Sequence, residues 1–266
     1  MAADLFSMHG RTVVFTGGCG NLGRVMVRAL LEYGANVAVP STTDRFDAAY
    51  DGYRQDGKLV FLQADLRSAE ETRVAFTEAE RRFGKIDVLV NCAAYGGGAG
   101  GKSCEFRLDR IPDETWLEGV DGTLNVVFRC TREILPFFER NGGGVIVNIG
   151  SMYGMIAPDF DIYGDSIPWN PPTYGAGKAG VLQFTRYCAS ALARRNIRVN
   201  SLTPGPFPNI TPGTDMDFIA RLSTKTMLRR TGRPEELCGA LLLLCSEASS
   251  YMTGCNIVVD GGMTQW

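Results

Sequence analysis

One stretch near the start restricts the fold of this chain more than any other. Arg11-Thr12-Val13-Val14-Phe15 is β-branched and aromatic, Thr16-Gly17-Gly18-Cys19-Gly20-Asn21-Leu22-Gly23 follows at once, and a helix-like segment runs from Arg24 to Tyr33 before Gly34. A strand, a glycine-rich turn and a helix in that order form a phosphate cradle. Glycines let the backbone approach a pyrophosphate, and the helix N-terminus supplies N–H groups and the positive end of a dipole.

The same alternation continues down the chain. Strands are expected at Asn36-Val37-Ala38-Val39, Lys58 to Leu62, Ile86 to Val90, Val145 to Ile149, Ile197 to Leu202 and Asn256 to Val259. A helix capped by Ser68 runs to about Phe83, with Glu70 and Glu71 suiting the dipole of its first turn. A long helix spans about Asp113 to Glu139, broken or bent near Pro136; another runs from about Thr173 to Arg195, and one or two cover Asp215 to Leu244. Apolar strands alternating with helices imply an α/β fold, a parallel seven-stranded sheet covered on both faces. No linker, repeat or shift of composition divides residues 1–266, so one domain is expected. Such sheets bind ligands beyond the carboxyl ends of their strands. Asp65, Asn91, Ser151 and Pro204-Gly205 all follow strand ends and should share a rim with the glycine turn.

Composition excludes several other classes. The chain of 266 residues is 45% hydrophobic and carries a net charge of −2, with no basic footprint for nucleic acid. No apolar run approaches the ~18 residues of a membrane span. The N-terminus lacks the regions of a signal peptide, so a cytosolic protein is expected. The eight cysteines form no Cys-x-x-Cys pair and read as reduced small hydrophobes, not disulfides or metal ligands. His9 is the only histidine, which argues against a histidine-built metal site.

The chemistry concentrates between Ser151 and Lys178. Tyr174 and Lys178 stand four apart, on one face of a helix. A free tyrosine has a pKa of about 10, and a nearby cation favours the phenolate by roughly 1–3 units. That would make Tyr174 a proton donor and acceptor near neutral pH. Ser151, at a strand end, would add a hydrogen bond to the reacting oxygen. By themselves, a tyrosine and a lysine at this spacing are as compatible with an ordinary exposed helix.

Taken together, Thr16-Gly17 through Gly23, Asp65, Asn91-Cys92-Ala93-Ala94, Ser151, Tyr174-x-x-x-Lys178, Arg198-Val199-Asn200 with Pro204-Gly205, and Asp260-Gly261-Gly262 resemble the short-chain dehydrogenase/reductase family over nearly the whole chain. The resemblance implies a Rossmann-type doubly wound sheet and a nicotinamide cofactor, NADP or NAD. It implies Tyr174 as acid/base, Ser151 as hydrogen-bond donor to the substrate oxygen, and Lys178 as holder of the nicotinamide ribose. It places the cofactor against Gly17, Cys19, Gly20, Asn21, Leu22, Gly23, Asp65, Leu66, Asn91, Ala93, Pro204, Gly205 and Phe207. The resemblance also implies a homotetramer, with the 113–139 and Tyr174 helices across one interface and the last strand and C-terminus across another.

The chain departs from the family pattern at four places, one of them Asn209, with Thr211 close by, where the family has a threonine on the nicotinamide side. Asn21 occupies the middle of the glycine triplet, where its tolerance of positive φ would preserve the turn. Thr123 stands where the family has an asparagine that supports a water chain, and is carried as a candidate catalytic residue. Asn125 lies two residues on, roughly 200° round a helix, and cannot stand in for it. At the end of the second strand, where NAD-specific members carry an acid, the chain has Ser41, followed by Thr42, Thr43, Asp44 and Arg45. With no acid at that position, three hydroxyls and Arg45 would accept a 2′-phosphate, a lean to NADP opposed by Gly20, where NADP-binding members often place a basic residue.

The expected reaction is hydride transfer between nicotinamide and a secondary alcohol or ketone. The irregular loop of about 152–173 contains four prolines together with Asp159, Asp161, Tyr163, Asp165, Ser166, Trp169 and Asn170. That lining suits a sugar, sugar acid or polyol, contacted also by residues 95–102; the bland reading is a loop that packs a neighbouring subunit. The alternatives are reduction of a non-sugar ketone such as a 3-oxoacyl thioester, a dehydratase or epimerase on the same fold, and a catalytically silent dinucleotide-binding protein.

Overall fold

The computed structural model describes residues 5–95, 108–163 and 169–266. Seven parallel strands form one sheet: β1 (Thr12–Thr16), β2 (Asn36–Ser41), β3 (Leu59–Gln63), β4 (Val88–Asn91), β5 (Gly144–Ile149), β6 (Ile197–Pro204) and β7 (Asn256–Val259). Their order is β3-β2-β1-β4-β5-β6-β7. The order reverses between β1 and β4, which pair from Val13 with Val88 to Thr16 with Asn91. That reversal is the switch point at which such sheets bind dinucleotides.

Strand periodicity explains why the sheet is apolar on both faces. Alternate side chains point to opposite sides. Val13 and Phe15 of β1, Val37 and Val39 of β2, and Val145 and Val147 of β5 face one core. Val14, Ala38 and Ile146, their immediate neighbours, face the other. The first core is closed by α1 (Asn21–Glu32) and α8 (Cys238–Cys245). The second is closed by α3 (Ala69–Phe83), α5 (Val126–Arg140) and α6 (Pro172–Leu192). Three shorter helices complete the set: α2 (Asp51–Gln55), α4 (Asp113–Val120) and α7 (Met216–Thr224).

Helix ends follow local chemistry. The Ser68 hydroxyl accepts from Glu71 N at 3.2 Å and caps α3, which ends at Gly84 with φ +84°. Pro171 precedes α6, and Pro172 opens it, where a missing N–H costs nothing. The long helix expected over residues 113–139 is interrupted, but not at Pro136. Helix α5 continues through that proline, and the break is a π-turn at Asp121–Asn125 between α4 and α5. Its cause is local. Tyr95 N donates to Gly122 O at 3.2 Å, and the Thr123 hydroxyl bonds back to Gly119 O at 2.8 Å. Both draw carbonyls out of the regular ladder. Among the described residues no helix is long and apolar enough to cross a membrane.

Candidate active site

The glycine turn after β1 is tight for identifiable reasons. Gly17 has φ +72°, and a Cβ there would lie 2.7 Å from Ala93 N. A Cβ on Gly23 would overlap Gly17 O. Asn21 does not need positive φ. It is the first residue of α1, and the left-handed position of this turn belongs to Gly17. No side chain caps α1 at Gly20, so its first-turn N–H groups are available to a phosphate. Leu22 packs against the core and holds the turn.

The segment after β4 faces this turn because of Thr16. Its hydroxyl donates to Val90 O and accepts from Cys92 N at 3.1 Å and Ala93 N at 3.3 Å. Asn91 is buried, and its amide donates to Asn148 Oδ1 at 2.9 Å and Thr131 Oγ1 at 3.2 Å. Asn148 in turn donates to Thr185 Oγ1 at 2.9 Å. Asn91 therefore ties the tip of β4 to β5, and its Oδ1 is buried without a partner. A narrow glycine cradle, free helix-end N–H groups and an orphaned acceptor at the switch point fit a dinucleotide. When bound, such a cofactor supplies the hydride acceptor or donor.

The Ser151 turn and α6 meet closely. Ser151 ends the β5 segment, and its Oγ accepts from Tyr153 N at 3.2 Å, opening the turn Met152–Gly154. A Cβ on Gly154 would lie 2.7 Å from the Lys178 carbonyl carbon, and one on Gly175 would lie 3.0 Å from Tyr153 O. The backbone after Ser151 is thereby seated against the Tyr174–Lys178 turn of α6. Lys178 is 4% exposed and donates to Ile149 O at 2.7 Å, which fixes the ammonium on the end of β5. Its Nζ lies 5.8 Å from the centre of the Tyr174 ring. The positive charge also reaches Cys92, whose thiol burial pushes up to about 11 against that charge. Ser151, Tyr174, Lys178 and the β4 rim therefore lie in one neighbourhood.

Thr123 is also brought there, by packing. It is 1% exposed, and a Cβ on Gly177 would overlap its hydroxyl. Thr123 thus sits against α6 between Tyr174 and Lys178, with its hydroxyl committed to Gly119 O. Asn125 bonds Asp121 at 3.1 Å on an exposed face, away from this contact.

The adenosine end is more exposed. Asp65 does not present a free carboxylate. Arg67 Nε donates to its Oδ2 at 2.9 Å and holds the acid below the ordinary carboxylate range. Leu66 is in the core, so only its backbone is available. Cys19 lies beside the Ser41 side chain and the Arg45 backbone, and burial raises its thiol. Thr42 and Arg45 are exposed. Asp44, the acid nearest Ser41, is gripped by Arg54 Nη2 at 2.7 and 2.6 Å. On the far side Gly205 N donates to Val259 O at 2.9 Å, and its α-carbon lies against Asp260, where any Cβ would overlap. Phe207 packs on Gly232 beside it and, with Pro206, lines a small hollow of about 90 Å³. Pro204 is the last residue of β6.

Several contributors carry little sequence signal. Thr16 and Asn148 look like ordinary strand residues, and only the register shows that they hold the rim. Arg54 lies in a short helix that the sequence does not announce. Tyr95, Asp121 and Arg129 form a hydrogen-bonded cluster under the π-turn, with Arg129 Nη2 3.1 Å from the Tyr95 hydroxyl. Burial, and then Asp121, push the Tyr95 phenol up. The expected substrate contacts at residues 96–102, and Asp165 and Ser166, lie outside the described residues. A cavity of about 530 Å³ opens at the opposite edge of the sheet among Arg11, Asp87, Asn196 and Arg198, far from this rim.

Comparison with known proteins agrees with this geometry. Residues 19–264 match a family profile described as enoyl-(acyl carrier protein) reductase. The probable galactose dehydrogenase of Rhizobium meliloti (strain 1021) is 30% identical over 263 residues, covering 96% of each chain. The 5-keto-D-gluconate 5-reductase of Escherichia coli (strain K12) is 30% identical, covering 98% of each. The crystal structure of a gluconate 5-dehydrogenase from Burkholderia cenocepacia J2315 in complex with NADP and tartrate superimposes over 100% of both chains, with a TM-score of 0.84 and 28% identity. With the strand order, the cradle and the Ser151–Lys178 neighbourhood all in place, the chain is an oxidoreductase of the short-chain dehydrogenase/reductase family.

Proposed function

We propose that the protein interconverts a secondary alcohol and a ketone of a sugar, sugar acid or polyol with a nicotinamide dinucleotide. The observation that carries this reading is the seating of the Ser151 turn on the Tyr174–Lys178 turn, next to Tyr153, whose phenolic oxygen lies 2.9 Å from that of Tyr163. Tyr174 moves the hydroxyl proton, Ser151 donates to the substrate oxygen, and Lys178, with its ammonium 5.8 Å from the Tyr174 ring, holds the nicotinamide ribose. Galactose and 5-keto-D-gluconate are the compounds named for the two curated relatives, and both are polyhydroxylated. The test is a panel of aldoses, aldonates, polyols, acyl thioesters and steroids assayed with both cofactors. Turnover confined to acyl thioesters or steroids would remove the sugar reading. Reduction of a non-sugar ketone such as a 3-oxoacyl thioester is the second reading, supported by a relative described as a 3-oxoacyl-[acyl-carrier-protein] reductase, 29% identical over 259 residues.

The preferred cofactor is NADP. Asp44, which would repel a 2′-phosphate, is neutralised by Arg54. Arg45 has no ion pair among the described residues and is free to take one. Comparing kcat/KM for the two cofactors decides the matter, and a clear preference for NAD would refute the assignment. The active assembly is a homotetramer. Leu117 of α4, Phe128 of α5 and Tyr187 of α6 are exposed at 65%, 44% and 68%, apolar surface that their own sheet does not cover.

A further inference from the structure

We infer that Tyr153, Tyr163 and Asn170 form a subsite that grips one hydroxyl of the substrate beside the reacting carbon. The inference rests on the proposed sugar-class reaction and names the groups that select for it.

The phenolic oxygens of Tyr153 and Tyr163 are 2.9 Å apart. Tyr153 is placed by the catalytic rim itself: its N–H donates to Ser151 Oγ at 3.2 Å, and its carbonyl abuts Gly175. Tyr163 is placed by α7. Its ring centre lies 5.7 Å from that of Phe218, Arg221 Nε donates to Ile162 O at 2.8 Å, and Lys225 pairs with Asp159 at 2.5 Å. Tyr163 is 5% exposed. Both phenols are thus held by packing before any ligand arrives, as a specific site requires.

Among the described residues the hydrogen-bond count leaves a donor and an acceptor over. Two phenols carry two protons, and their mutual bond uses one. The other proton has no acceptor among the described residues. Asn170 Oδ1 is buried and likewise without a partner, while the Asn170 backbone N–H faces the Tyr163 oxygen. A spare donor and a spare buried acceptor, on residues joined through the Asn170 backbone N–H, are the complement of an alcohol, which accepts one hydrogen bond and donates another. A methylene of an acyl chain would leave both groups unpaired, which is costly. Sites built in this way reject analogues that lack the hydroxyl.

The experiment compares the best polyhydroxylated substrate with its deoxy analogues in the wild type and in Tyr153→Phe, Tyr163→Phe and Asn170→Ser. Each analogue is read as kcat/KM or, where it is not turned over, as Ki. For one deoxy position the wild type should discriminate by about 10-fold or more, and Tyr163→Phe should reduce that ratio to under about 3-fold. Cofactor affinity and melting temperature should hold steady. Asn170→Ser supplies the same readout should a tyrosine variant fold poorly. Ratios unchanged in the variants, or equal losses on the parent and every deoxy analogue, would overturn the subsite. The absence of any polyol or sugar turnover in the wild type would instead defeat the sugar reading, and the subsite with it.

Discussion

Lys178 is committed at two places at once. It is buried at the foot of α6, donates to the last carbonyl of β5 and stands beside the Tyr174 ring. A buried ammonium needs such a partner. Lys178→Met should keep the fold, weaken cofactor binding and lower turnover by about 10²-fold or more, as expected for a group that supports an acid–base residue. Steady-state kinetics with a fluorescence titration of the cofactor checks both arms. The cysteines behave differently. Burial pushes Cys92, Cys188 and Cys238 up to about 11 and Cys130 and Cys245 up to about 12. A raised pKa means less thiolate at a given pH, so these five should resist alkylation at pH 8 in the native protein. Cys255 is exposed and should react first among the described cysteines, as peptide mass mapping will show.

At the scale of elements, the contact between the π-turn and α6 is the most demanding in the site. Gly119 abuts Thr173, Gly177 abuts Thr123 and Gly180 abuts Leu124. Three glycines let two helical segments approach this closely. Gly177→Ala would drive a methyl into Thr123 and should destabilise the fold by about 1–3 kcal/mol, the usual cost of overpacking. Thermal unfolding followed by circular dichroism should show a drop in Tm, and an unchanged Tm would mean the helices separate at little cost. The alternation of apolar strands and helices was legible because every strand is buried on both faces, so its residues are apolar without a break. The Tyr174–Lys178 pair was legible because helical spacing is local. The interruption at 121–125 was not. Its causes are the Tyr95 N–H, which reaches in from another segment, and the local Thr123 back-bond to Gly119, neither encoded by apolar periodicity, whereas Pro136 is conspicuous in sequence and leaves α5 continuous. The carboxylate of Asp65 reads as available until Arg67 is seen to occupy it.

For the whole molecule, the parallel order with its reversal between β1 and β4 puts every candidate group at one edge of the sheet. On the outer faces of α4, α5 and α6, Leu117, Phe128 and Tyr187 stand exposed among polar residues. Light scattering should return four times the 28.9 kDa chain mass at micromolar concentration. Tyr187→Glu should shift the protein to smaller species by placing a charge in the interface, and a wild-type monomer would contradict the assembly. The claim on which the rest depends is that Tyr174 carries the proton. The direct measurement is the rate of nicotinamide reduction or oxidation by Tyr174→Phe, with the best sugar-class substrate from the panel, alongside cofactor affinity. The account predicts unchanged cofactor binding and turnover reduced by about 10²–10⁴-fold, the ordinary worth of a general acid–base group. Wild-type rates across the pH range in that variant would contradict it.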